Sequence, residues 1–125
     1  LEDQVSRKDV IFNLSRFGML VNSLSNGDLS NLKFATQDLL HQPQRQKLFF
    51  PMKNIIKGAL DAGAYGAFLS GAGSTIIAIT DSREYTIGYE MADAAMKSGI
   101  EGNIVVSTIV NQGVHLIDQG ENKCQ

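Results

Sequence analysis

The chain has one cysteine, two prolines and no tryptophan among its 125 residues. The lone Cys124 excludes a disulfide framework and a metal-binding cysteine pair within the chain, and it fits a reducing, cytoplasmic setting. An excess of charge of one sign is also missing. Eleven Lys and Arg stand against thirteen Asp and Glu, a formal net charge of -2, which excludes the basic footprint that nucleic acid or an anionic membrane would require. No apolar stretch reaches the ~18 residues of a membrane-spanning helix, and the N-terminus lacks the basic-then-apolar pattern of a secretory signal. The first residue is Leu1 rather than Met, which predicts a piece of a longer protein.

What is present is the composition of an ordinary globular domain. With 43% hydrophobic and 19% charged residues, the chain can bury one core. The expected organisation is a single domain over 1–118 and a polar, flexible tail over 119–125. Ser6-Arg7-Lys8-Asp9 forms a capping signal. Val10, Ile11, Leu14, Phe17, Val21 and Leu24 then recur at helical spacing up to Asn26-Gly27, predicting an amphipathic helix that buries this face. Asp28 or Ser30 caps a second helix with Leu29, Leu32, Ala35 and Leu39 inward, ending near His41 ahead of Pro43. After a polar connector over 41–48, Pro51 opens a third helix that packs through Met52, Ile55, Ile56 and Ala59 and stops at Gly63.

Tyr65 to Leu69 and Thr75 to Thr80 read as an antiparallel strand pair. A helix capped by Asp81 or Ser82 follows, with Tyr85, Gly88, Met91, Ala92 and Ala95 inward and Gly99 as its stop. Two further strands, Asn103 to Val110 and Val114 to Ile117, are joined by the turn signal Asn111-Gln112-Gly113. Helices and strands in this order predict an α+β domain. Its layout is ferredoxin-like, a four-stranded antiparallel sheet with helices on one face.

Two stretches carry candidate chemistry. Ser70-Gly71-Ala72-Gly73-Ser74-Thr75 removes bulk from a tight bend, so a backbone or a phosphate can approach closely. It lacks the third glycine of a dinucleotide fingerprint and the lysine of a Walker A loop, and it leads into a strand rather than a helix. A plain structural turn and a ligand-facing loop both fit it. In the connector, Arg45 lies near Gln42 and Gln44; a guanidinium fork suits a carboxylate or phosphate, and a solvated surface arginine would look the same. His41 has no acidic or histidine neighbour at ligand spacing, and His115 lies in a strand pattern. Ser70, Ser74 and Thr75 have no base beside them in the sequence to make a nucleophile.

The combination of Pro43-Gln44-Arg45, Leu48 and Pro51 with Leu69-Ser70-Gly71-Ala72-Gly73-Ser74-Thr75 resembles the C-terminal half of the homoserine kinases, members of the GHMP kinase superfamily. Val5 to Arg16 and Asn111-Gln112-Gly113-Val114 extend the likeness to nearly the whole chain. The resemblance implies an ATP-dependent enzyme that phosphorylates the hydroxyl of homoserine for threonine synthesis. It implies that Arg45 binds the substrate carboxylate and that the loop from Ser70 to Thr75 helps shape the active site. ATP and Mg²⁺ would be bound mainly by an N-terminal domain whose Gly-Leu-Gly-Ser-Ser type loop is absent here, so this chain alone would be inactive. That N-terminal domain is the implied partner, with a homodimer left open. Ser74 departs from the proline usual at this place, loosening the loop and adding a hydroxyl. Another GHMP kinase with a different alcohol substrate, or a free-standing ferredoxin-like module for a small ligand or partner, are the alternatives.

Overall fold

The computed structural model describes residues 4–116. The first helix, α1 (Arg7–Asn26), starts where the capping signal places it: Ser6 Oγ accepts a hydrogen bond from the backbone N–H of Asp9. Gly27 ends it at φ 69°, the left-handed conformation that glycine adopts without strain. The expected buried face of α1 is a correction. Val10, Leu14, Phe17, Val21 and Leu24 are all exposed, and Ser23 is the buried residue of the helix. Helical spacing fixes which residues share a side, but a partner surface decides whether that side is covered.

A 3-10 turn (Leu29–Asn31), opened by Asp28 accepting from Ser30 N–H, leads into the single turn α2 (Leu32–Ala35). Leu32 and Ala35 are buried as expected, whereas Leu39 is exposed because the helix has already ended. Thr36 Oγ1 donates to the Leu32 carbonyl at 2.8 Å, and Asp38 then turns the chain with its side chain. The polar connector is not wholly irregular: it contains α3 (Gln42–Gln46), with Pro43 in its first turn. Next comes α4 (Met52–Asp61), whose Met52, Ile55 and Ala59 are buried. Gly63 follows at φ 108°.

The strands β1 (Gly66–Leu69) and β2 (Ile76–Ile79) pair antiparallel, from Gly66 opposite Ile79 to Leu69 opposite Ile76. The last helix is α5 (Glu84–Lys97). Neither Asp81 nor Ser82 caps it. Asp81 is occupied by the hydroxyls of Tyr65 and Ser82, and Arg83 at φ 60° precedes the first turn without a side-chain cap. The buried residues of α5 are Ile87, Gly88 and Ala95, while Tyr85, expected inside, is exposed. Gly99 closes the helix at φ 81°, and Ile100 N–H returns to the Ala95 carbonyl.

The core lies where α4 and α5 meet β1. Ala59, Ala64, Ala67 and Ile87 form its centre, with Ile56, Leu60, Ala78 and Met91 against it. Small residues set the helix spacing: a Cβ on Gly58 would stand 3.1 Å from the Glu90 carbonyl oxygen and 3.3 Å from the Ala94 side chain. The sheet has two strands among the described residues, not the four expected. The segment 103–116 is irregular and exposed, with Val105 84% and Ile109 90% accessible. Its β-branched residues favour the extended state, but a strand exists only through pairing with a neighbouring edge, and among the described residues this segment has none. Ile117 and the tail 119–125 lie outside the described residues. No helix among the described residues is long and apolar enough to cross a membrane.

Candidate functional site

Among the hollows on the surface of the described residues, two can be compared. The larger, about 480 Å³, lies beside α5 and is lined by Tyr89, Asp93, Met96, Glu101 and Asn103 among others, with acidic groups and no basic one. The smaller, about 260 Å³, lies between α1, the turn after α2 and the end of β1. Its wall includes Asn13, Arg16, Asp38, His41, Gln42 and Leu69. Only the second combines a cation, an imidazole and amides with the glycine loop at its edge.

Asp38 organises this groove. Its carboxylate accepts from Asn13 Nδ2 at 2.5 Å and from the backbone N–H groups of Leu40 at 2.8 Å, His41 at 2.9 Å and Gln42 at 2.5 Å. Asn13 Oδ1 in turn accepts from Leu39 N–H at 2.9 Å, so α1 is tied to the turn leading into α3. Burial pushes the Asp38 carboxyl up, but the bonds from Asn13 and from the N–H groups of Gln42, Leu40 and His41 outweigh it and hold the group below the usual carboxylate range.

The glycine loop is exposed from Gly71 to Thr75. Ser70 N–H donates to the Thr75 carbonyl at 2.9 Å and Gly73 N–H to the Ser70 carbonyl at 3.0 Å. Gly71 has φ 53° and Gly73 φ 87°, and a Cβ on Gly73 would lie 2.9 Å from Leu69 Cδ1. Glycine suits this position by its conformation, and the tip of the Leu69 side chain would have to shift to admit a Cβ. The peptide between Gly73 and Ser74 is cis.

The structure brings the two sequence-predicted places together. His41 Nε2 lies 2.7 Å from the Gly71 carbonyl oxygen, and Gln42 Oε1 accepts from Leu69 N–H at 3.0 Å. Arg45 is one turn further along α3, its N–H bonded to the His41 carbonyl at 3.1 Å. Arg45 is half-buried, and its Nε is buried without a hydrogen-bond partner among the described residues. The same holds for Nε of Arg16, whose guanidinium stacks on the Phe12 ring at 4.3 Å. A buried N–H of a permanent cation without an acceptor is a place where an anion fits. The sequence pointed to Gln42 only as a neighbour of Arg45 and did not single out Arg16, Asn13 or Asp38. A cation among the apolar residues of α1 was the available signal for Arg16, whereas the other three acquire meaning only from their tertiary partners.

Residues 20–96 match the family model described as "GHMP kinases C terminal". The chain belongs to the GHMP kinase C-terminal family. It is 34% identical to a homoserine kinase of Persephonella marina over 116 residues, 93% of this chain and 39% of that protein. A homoserine kinase of Synechococcus is 36% identical over 98% of this chain and 40% of its own length. The crystal structure of a homoserine kinase from Cytophaga hutchinsonii superposes with a TM-score of 0.81 at 32% identity, covering 87% of this chain and 35% of that one. The GHMP kinase C-terminal domain described here therefore spans about two-fifths of the curated relatives cited. The α+β class expected from the order of elements agrees with this family and with that neighbour.

Proposed function

We propose that this chain is the substrate-side C-terminal domain of an ATP-dependent homoserine kinase. The observation that carries the reading is the buried, unpartnered Nε of Arg45, one helical turn from the side chains that hold the glycine loop. Homoserine is a small amino acid with a carboxylate at one end and a hydroxyl at the other. Arg45 takes the carboxylate, since a guanidinium offers paired donors in a fixed plane. Arg16 adds a positive charge to the wall of the groove that His41 and Gln42 also line. The loop Ser70, Gly71, Ala72, Gly73, Ser74 and Thr75 forms the boundary near the hydroxyl and its incoming phosphate.

The glycine loop leads into β2 rather than into a helix, so it offers no helix N-terminus to the phosphates of ATP and the Mg²⁺ they carry. We assign both to an N-terminal domain, as the length of the relatives supports. That domain is also the cover we assign to the exposed stripe Val10, Leu14, Phe17, Val21 and Leu24 on α1. The ferredoxin-like four-stranded sheet stays our reading for the full-length protein, with the segment 103–110 paired there. Phosphoryl transfer depends on positioning and charge neutralisation, and this chain contributes the positioning of the acceptor.

The test is steady-state kinetics of the full-length protein. Wild type should convert homoserine and ATP to O-phosphohomoserine. Arg45→Ala should raise KM for homoserine tenfold or more, about 1.5 to 3 kcal/mol for a lost charge-assisted pair, with KM for ATP little changed. An unaltered KM for homoserine would remove Arg45 from substrate binding. Efficient turnover of a different alcohol in preference to homoserine would replace the substrate.

A further inference from the structure

We propose that His41 and Gln42 are positioning residues that fix the glycine loop to the helix carrying Arg45, and so set the distance between the two ends of the substrate site. The inference rests on the reading above for its catalytic consequence, but its geometry stands independently. The Gly71 carbonyl can only accept, so His41 Nε2 at 2.7 Å carries the proton and donates to it. Gln42 is oriented by two different partners. Its Oε1 accepts from Leu69 N–H at 3.0 Å, and its Nε2 donates to the Thr36 carbonyl at 3.3 Å.

These two side chains hold the residue that ends β1 and the second residue of the loop. The loop's own backbone bonds, from Ser70 N–H to the Thr75 carbonyl and from Gly73 N–H to the Ser70 carbonyl, are internal and do not set its position relative to α3. The backbone at His41 and Gln42 is in turn fixed by Asp38 and, through it, by Asn13 of α1. Arg45 follows on the same short helix. The carboxylate anchor and the hydroxyl-end boundary therefore move as one body. A rigid separation of this kind favours one substrate length, because a misplacement of about 1 Å can cost on the order of 100-fold in rate.

The experiment compares His41→Ala with His41→Gln in the full-length protein. The amide nitrogen of glutamine occupies nearly the reach of imidazole Nε2, so His41→Gln can still donate to Gly71. Hydrogen exchange across 70–75, read by mass spectrometry, should speed up fivefold or more in His41→Ala and stay within twofold of wild type in His41→Gln. This readout needs no activity, so it decides the staple even if homoserine is the wrong substrate. On whichever alcohol the wild type phosphorylates, His41→Ala should lower kcat about tenfold with KM within threefold, and His41→Gln should restore kcat to within threefold. Unchanged exchange and kcat in His41→Ala would overturn the proposal. So would equal loss in both variants with disappearance of a limb of the pH–rate profile, since that would make the imidazole a proton-transfer group. Failure of the wild type to phosphorylate homoserine, with the exchange result intact, would overturn the substrate reading and leave the staple supported.

Discussion

Asp38→Asn isolates the charge and one oxygen of the group that shapes the groove. Asparagine can keep an acceptor facing Asn13 Nδ2 and Leu40 N–H. Its amide nitrogen then faces the N–H groups of His41 and Gln42, which Asp38 Oδ2 now accepts at 2.9 and 2.5 Å. His41 N–H also lies 3.2 Å from Oδ1 and can turn to it, so the bond from Gln42 is lost outright and its donor meets a donor, while that from His41 is weakened. Bonds to a charged group contribute roughly 1.5–3 kcal/mol each, and a lost helix-opening cap about 1 kcal/mol. Because the carboxylate is only half-buried, solvent replaces part of this, and a total of about 2 kcal/mol is expected. At about 4 °C per kcal/mol for a domain of this size, Tm should fall by about 8 °C at neutral pH.

The acid side supplies the sign. The Asp38 carboxyl is held below its ordinary value in the folded chain, so the unfolded state binds its proton first as pH falls. The contribution of Asp38 is therefore complete above the unfolded value of about 3.9 and is lost as pH drops through the lower folded value. Melting curves by far-ultraviolet circular dichroism should show a gap between wild type and Asp38→Asn that is wide at about pH 7 and narrower at about pH 3. A gap of the same size at both, or none at neutral pH, would refute the role of the ionised carboxylate.

The glycines offer a pair of opposite signs. A Cβ on Gly66 would lie 2.9 Å from Thr36 Cγ2 and 3.1 Å from the Leu32 carbonyl oxygen, so Gly66→Ala should cost about 1 to 3 kcal/mol in a denaturant titration. Gly18 sits inside α1 with nothing within 4 Å of its Cβ position, and Gly18→Ala should stabilise by about 0.5 to 1 kcal/mol in the same assay. Ser6→Ala removes the oxygen that accepts from Asp9 N–H; a loss of about 1 kcal/mol is expected, seen as lower thermal stability and faster exchange at the start of α1. For the groove, Arg16→Met keeps much of the stem that packs beside Phe12 while removing the charge, and should raise KM for homoserine several-fold in the full-length protein. An unchanged KM would take Arg16 out of the substrate site.

The sequence alone determined the elements whose causes are local. The Ser6 cap and Gly27 bound α1, Pro51 marks the start of α4, and Gly63 and Gly99 follow helix ends, because capping and left-handed turns depend on a few adjacent residues. The strand pair around the glycine loop was legible for the same reason, from short β-prone runs flanking residues that tolerate a tight bend. The resemblance carried by Arg45 and the loop Ser70 to Thr75 pointed to the family that the matched residues 20–96 establish. Tertiary structure decided the rest. Asp81 was free to be a cap in the sequence, and Tyr65 and Ser82 claimed its oxygens. The stripe on α1 has the right period and the residues after Asn103 the right β-branched types, yet pattern and propensity name a face or an extended state and cannot supply the surface that covers or pairs it. The network from Asn13 through Asp38 to His41, Gln42 and Gly71 spans separations that no local rule reads, since a hydrogen bond between distant residues exists only once the chain has brought donor and acceptor together.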